Sequence, residues 1–380
     1  MSLRERLRTL STSHGGRRLR LPAVIAVIGA VGAVGAGVAL GGAKPSMVDL
    51  VTGPITVDAK PLAGFDRTAR DKKKFGKLTW RGGLVLTSPS DYFGGWSGLV
   101  LDPDGKGFFS ISDAGAWMDG KLTYDASGAP SGMTGVRMGA IQSKAGDPLS
   151  RKKDSDAEGL TLAEGTTENG SAYISFERKH RIARYDIKDG ELSAALGKVS
   201  LPKSSRDMPS NGGFEAVSVL RGGPNKGKLV AFSERMRDDE GHYVGWIWMG
   251  KERPRKFFMT NDGDYDVTDA SALLDGSLLV LERRFRFSEG VSMRLRHIKA
   301  AQLRPGKVID ADILIAADGA REIDNMEGLA THVAANGDTI ITMISDDNYN
   351  YALQRTLLLQ FSISAADLAA NQGGSNADGR

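Results

Sequence analysis

Five runs along this 380-residue chain share one arrangement: a polar residue, a small residue, then an apolar β-rich stretch that turns and returns as a second apolar stretch ending in an acid. The openings are Ser97-Gly98-Leu99, Glu158-Gly159-Leu160, Glu215-Ala216-Val217, Asp269-Ala270-Ser271 and Glu327-Gly328-Leu329, spaced 61, 57, 54 and 58 residues apart. The returns end on Asp113, Glu177, Glu234, Glu282 and Asp346, 13 to 19 residues after their openings. Turn residues between the stretches, such as Asp102-Pro103-Asp104-Gly105, Asp275-Gly276 and Asn336-Gly337-Asp338, predict hairpins. A third β-rich run follows in most units, at residues 182–187, 243–249, 293–298 and 356–363. Repeats of this length, made of short strands and glycine-rich turns, predict the blades of a β-propeller rather than a sandwich or a βα array.

The chain is therefore expected to be all-β, with a single propeller over residues 78–363. Five repeats cover residues 96–363, and the strands before Trp96 are expected to join the C-terminal strand and complete a sixth blade. Such closure removes the exposed sheet edges that invite aggregation. Residues 44–77 read as a polar N-terminal segment and residues 364–380 as a flexible tail.

Residues 1–43 stand apart. Arginines 4, 6, 8, 17, 18 and 20 precede an uncharged stretch rich in Ala, Gly and Val that ends in Gly41-Gly42-Ala43. This pattern predicts an export signal, cleaved after Ala43 or kept as a membrane anchor, and hence a protein of the periplasm or cell envelope. It also changes the meaning of the net charge of +4. With six bases and one acid, Glu5, assigned to the leader, the remainder carries 44 bases against 45 acids. A nearly neutral body gives no support for nucleic-acid binding. A monomer acting on a small anionic or ester substrate is expected.

Several chemistries drop out. There is no cysteine, so disulfides, thiolate metal sites and thiol nucleophiles are excluded together. The histidines at 180, 242, 297 and 332 are too scattered to predict a zinc site, and no Gly-x-Ser-x-Gly elbow marks a serine hydrolase.

The acids remain. In a hairpin, the residue that opens the first strand and the one that closes the second lie at the same end, so each opener should meet its closer. With the inner strands of a propeller set around a channel, nine carboxylates would ring one mouth. Like charges so close raise one another's pKa, and burial adds to the cost, so positive charge must be present. Arg178, Arg235 and Arg283 directly follow three closers, with Lys179 and His180 beside the first, and can hold the acids or an anionic ligand. Calcium, which takes six to eight oxygen ligands, is the other candidate. One polar residue per repeat also serves purely structural hydrogen bonding in repeat proteins, and that reading stands beside the functional one.

Asp156-Ala157-Glu158-Gly159-Leu160, Ser175-Phe176-Glu177-Arg178 with Arg181-Ile182, Asn211-Gly212-Gly213-Phe214-Glu215-Ala216, Asn325-Met326-Glu327-Gly328-Leu329 and Ser345-Asp346-Asp347-Asn348 occur in that order. Over about residues 80–363 the chain resembles the bacterial phytase-like family, described as having esterase-like activity of phytase. The resemblance implies a propeller that hydrolyses a phosphomonoester or related ester. Motifs of the calcium-dependent propeller phytases are not displayed, so no catalytic residues carry over from those enzymes. The residues themselves suggest Glu158, Glu177 and Glu215 for the catalytic step and Arg178, Lys179, His180, Arg235 and Arg283 for substrate. Asp113, Glu234, Asp269, Glu282, Glu327 and Asp346 are left for calcium. A non-catalytic binding or scaffold propeller and a calcium-dependent lactonase-like esterase are the alternatives.

Overall fold

The computed structural model describes residues 42–250 and 252–373. All but the last two residues of the predicted leader, and the tail from residue 374, lie outside the described residues. No helix among the described residues is long and apolar enough to cross a membrane.

The strands form five sheets, each a blade that starts at an inner strand and adds its next two strands outward in chain order. The inner strands are Trp96–Leu101, Ala157–Gly165, Phe214–Val219, Asp266–Ala272 and Asn325–Val333. Each turns back into an antiparallel second strand: Gly107–Ser112, Asn169–Phe176, Leu229–Arg237, Leu278–Arg286 and Thr339–Asp346. These are the predicted hairpins.

Five blades replace the predicted six. The strand before Trp96, Leu78–Thr87, does meet the C-terminal strand Thr356–Ile363, but as the fourth strand of the last repeat's own sheet. Asp58–Pro61 then pairs with Leu78–Thr87 on the outside. Both chain ends thus finish the fifth blade, and a further one is not formed. The ring is still closed by hydrogen bonds between distant segments, which removes the free edge as expected.

Residues 44–77 are also more than a polar approach. Gly53–Pro54 extends the first blade beside Pro130–Ala140, and Lys74–Phe75 extends the fifth. Met47, Phe65 and Phe75 are buried. Phe65 stacks on Trp80 and meets Phe75 and Phe361 edge-on, with ring centroids 4.9 to 5.3 Å apart. At the other end, where a loose tail is predicted, Ala365–Gly373 is helical and Leu368 packs into the same cluster.

Many blade strands are buried on both faces. Trp96–Leu101, Gly107–Ser112, Thr339–Asp346 and Thr356–Ile363 are buried along their whole length. The reason is that the core lies between neighbouring blades: five apolar clusters fill the spaces, for example Leu279, Leu281 and Leu295 against Leu329, Met343 and Leu359. At roughly 1.5–3 kcal/mol for each fully buried Leu, Ile or Phe, these wedges hold the ring together.

One local feature positions the chemistry. In each inner strand the register against its partner slips by one residue, at Ser97, at Glu158-Gly159, at Glu215, at Thr268 and at Glu327. Such bulges place two residues opposite one and re-aim a side chain.

Candidate functional site

At one channel mouth the bulges deliver Glu158, Glu215 and Glu327, with hydroxyls at the two remaining positions. Ser97 Oγ donates to the Ala157 carbonyl at 2.6 Å, and Thr268 Oγ1 to the Met326 carbonyl at 3.1 Å. Both bonds reach the residue just before the next blade's bulge, so these hydroxyls tie blades together. On each second strand, the residue that follows the partner of the one just before the bulge completes the ring: Asp113, Glu177, Glu234, Arg283 and Asp346.

The fourth blade therefore differs from the sequence expectation by one residue in both strands. Thr268, not Asp269, holds the bulge, and Arg283, not Glu282, holds the closing position. Asp269 points between blades, accepting the amides of Ala270 and Leu329, each at 2.7 Å. The equivalent positions elsewhere are Gly98, Gly159, Ala216 and Gly328, because the neighbouring inner strand comes close; a Cβ on Gly159 would run into the Glu215 carbonyl and lie 3.1 Å from Val217 Cγ2. Glu282 is fully buried inside its blade, paired with Arg294 and, at 3.5 Å, with Arg296. Neither acid reaches the mouth, so neither takes the metal role the sequence suggested.

Two residues join the mouth that sequence reasoning passed over. Asp156, two positions before its bulge, is buried and pairs with Arg178 and, at 3.5 Å, with Lys152. Its place in the Asp156-Ala157-Glu158 run was the available sign. Lys44 arrives from outside the repeats and its ammonium pairs with Asp113. No pattern in the sequence announces that contact.

Counting Asp113, Asp156, Glu158, Glu177, Glu215, Glu234, Glu327 and Asp346, acids outnumber the cations that pair with them. Arg178 takes Asp156, helped by a left-handed turn at φ 54° that folds the residue after Glu177 back across the strand end. Arg235 lies 3.2 Å from Glu234, and Arg283 bridges Glu234 at 3.8 Å and Glu327 at 3.6 Å. Glu158, only 9% exposed, has neither an ion pair nor a side-chain hydrogen bond among the described residues.

The electrostatic result follows. Burial, then repulsion from Glu215, Asp156 and Glu177, pushes Glu158 well above the usual carboxylate range. Burial and then Glu234 and Glu177 do the same to Glu215. Burial and the neighbours Asp156 and Glu234 raise Glu177 to about 7, and burial with Glu327 raises Asp346 to about 8. Burial also raises Glu234 and Glu327, against the pull of Arg283. Burial and crowding thus favour the protonated forms of these carboxyls.

The remaining predicted substrate residues sit at the rim. Lys179 is turned to Asp154 at 3.1 Å. His180 holds the Pro209 carbonyl at 2.9 Å through Nε2, while its buried Nδ1 has no partner. Burial lowers its pKa, so the ring is neutral at pH 7.

Two carboxylate triads fit a hard cation: Asp156, Glu158 and Glu177, and Glu177, Glu215 and Glu234, each with oxygens within 4.8 Å of one another. Oxygens that share a calcium ion at 2.3–2.6 Å are separated by up to about 5 Å, so the spacing is suitable, and the donor set is all oxygen. Glu177 belongs to both.

A family model described as "Phytase-like: Esterase-like activity of phytase" matches residues 91–349, more than half of the chain. The chain belongs to the phytase-like family. The matched span contains every acid of the mouth, while Lys44 lies outside it. No curated protein matches the chain. Among solved structures, a Dyadobacter fermentans protein of unknown function is similar over 84% of this chain and 96% of its own, at 12% identity and a TM-score of 0.37. MPT-4, a mannose phosphorylase from Leishmania mexicana in complex with phosphate ion, is similar over 84% and 91%, at 9% identity and a TM-score of 0.38. At these scores neither neighbour bears on what this family member does.

Proposed function

We propose that this phytase-like protein is an exported hydrolase of a phosphomonoester or a related ester, acting at the acidic mouth with the help of calcium. The observation that carries the reading is the unpaired, buried Glu158 beside Glu177, in a ring where carboxylates exceed cations. An acid cluster without that excess would be neutralised by its own arginines and have no use for an ion or a proton.

Asp156, Glu158, Glu177, Glu215 and Glu234 would hold the cation, which when bound supplies charge to stabilise the developing oxyanion and acidifies a water. The chain's own residues do the rest. Arg178, Arg235 and Arg283 keep N–H groups beyond those spent on Asp156, Glu234 and Glu327, and these orient an anionic group. Glu177, with a pKa near ambient pH, is suited to take the proton of the attacking water as the new bond to phosphorus or acyl carbon forms. Whichever of Glu158 and Glu215 the cation leaves uncoordinated, its carboxyl held above the usual range by burial and neighbouring acids, returns a proton to the leaving oxygen as the ester bond breaks.

One observation favours a second reading, that of a non-catalytic binding propeller: each of the three arginines already touches a ring acid. The experiment that separates the readings is phosphate release from phytate and p-nitrophenyl phosphate by the purified protein, in calcium and again in chelator, with a lactone panel beside them. Calcium-dependent release is the expected result. Saturable binding without turnover of any of these substrates supports the binding propeller, and lactone cleavage alone moves the activity to carboxyl esters.

A further inference from the structure

The same channel carries a different chemistry at depth. Thr161, Ser218, Ser271 and Thr331, one from each of four inner strands, line a small, partly open cavity together with Arg221, which follows the strand Phe214–Val219. Thr161 lies three residues beyond Glu158, so at about 3.3 Å per strand residue the cavity is about 10 Å from the carboxylate ring. No acid lines it.

Arg221 has no ion pair and no hydrogen bond among the described residues. Burial lowers its pKa and no carboxylate opposes the shift, yet a guanidinium starts so high that it stays charged. A half-buried cation without a counter-charge is costly, and guanidinium groups in such places take anions bidentately.

The hydroxyl protons point the same way. Ser218 Oγ accepts the Ala272 amide at 3.0 Å, so its proton is left to donate into the cavity. Thr161 Oγ1 accepts the Val219 amide at 3.1 Å, and its own proton has only the Leu162 carbonyl, at 3.5 Å. Ser271 and Thr331 bond to each other at 3.0 Å and complete the wall. The cavity thus offers a charged fork and two hydroxyl donors, with no charged acceptor.

We propose that this part of the channel is a binding site for a small tetrahedral oxyanion of the phosphate or sulfate type, held by Arg221, Ser218 and Thr161. The site is separate from the acidic mouth, and its existence does not depend on hydrolysis there.

The test is calorimetric titration of the purified full chain with inorganic phosphate and with sulfate, at fixed ionic strength and in chelator. One saturable event is expected, retained in Glu177→Gln at the mouth and lost in Arg221→Gln. Arg221→Lys, which keeps the charge and loses the fork, should bind about tenfold more weakly. Binding that is unchanged in Arg221→Gln, or no binding by the unsubstituted protein at millimolar anion, overturns the proposal. Circular dichroism checks that Arg221→Gln is folded; if it is not, Arg221→Lys decides, and unchanged affinity in that variant overturns the proposal equally.

Discussion

Leu329 donates its amide to the Asp269 carboxylate at 2.7 Å, joining the inner strands of the fourth and fifth blades. In the other blades this gap is left to glycine or alanine, and the bond is particular to this wedge. Asp269→Ala removes the acceptor and leaves a buried amide without a partner, which costs about 1–3 kcal/mol. Urea unfolding should show that loss, while calcium affinity stays as it was. A variant with normal stability and weakened calcium binding would put Asp269 back in the ion site.

That residue also shows how far the sequence could be read. Openers and closers in four blades were legible because a polar residue followed by Gly or Ala and an apolar run is also what a bulged inner strand requires. In the fourth blade the bulge residue is a threonine and the next residue happens to be acidic, so matching by charge selected Asp269 and Glu282, each one place from the mouth residues Thr268 and Arg283. Register is set by pairing across the sheet, and a one-residue slip changes the face without changing the letters. The blade count failed for a related reason. Leu78–Thr87 was rightly joined to the C-terminal strand, but whether two chain ends share a blade depends on long-range pairing.

The raised acids make a pH prediction. Glu177 moves from its usual 4.5 to about 7 and Asp346 from 3.8 to about 8. The folded state then binds protons more tightly than the unfolded one between those values, so stability is greatest below the unfolded pKa and declines as pH rises through the folded one. Thermal melts in chelator should fall from about pH 5 to about pH 8 and level off above. Saturating calcium should flatten that slope, because a bound cation replaces the lost protons. A melting temperature that rises with pH over the same window would contradict the crowding described here.

Glu177 is shared by both triads, which makes it the most informative single substitution. Glu177→Gln keeps the shape, removes one charge from the repulsive cluster and takes an oxygen donor of full charge from each triad. Activity should fall by about a hundredfold or more, the range that general acid–base groups contribute. In chelator at about pH 8 the variant should melt above the unsubstituted protein, since like-charge repulsion has been relieved. Retained turnover would remove Glu177 from the reaction, and a lower melting temperature would mean that its charge is structurally required.

Lys44 supplies the last prediction. Its ammonium pairs with Asp113, whose Oδ1 is otherwise without a hydrogen bond, and its charge favours ionisation of Glu327 and Asp346. The Asp113 side of the ring thus carries its own cation, while no cation pairs with Glu158 itself among the described residues. With Lys44→Met the carboxyl of Asp346 should shift further upward, and the penalty should grow wherever that group is ionised. The loss of melting temperature in chelator should therefore be larger at about pH 8.5 than at about pH 5. Calcium affinity should rise, since one competing positive charge has left the mouth. An equal loss at both pH values, with calcium binding unchanged, would reduce Lys44 to an ordinary surface partner of Asp113.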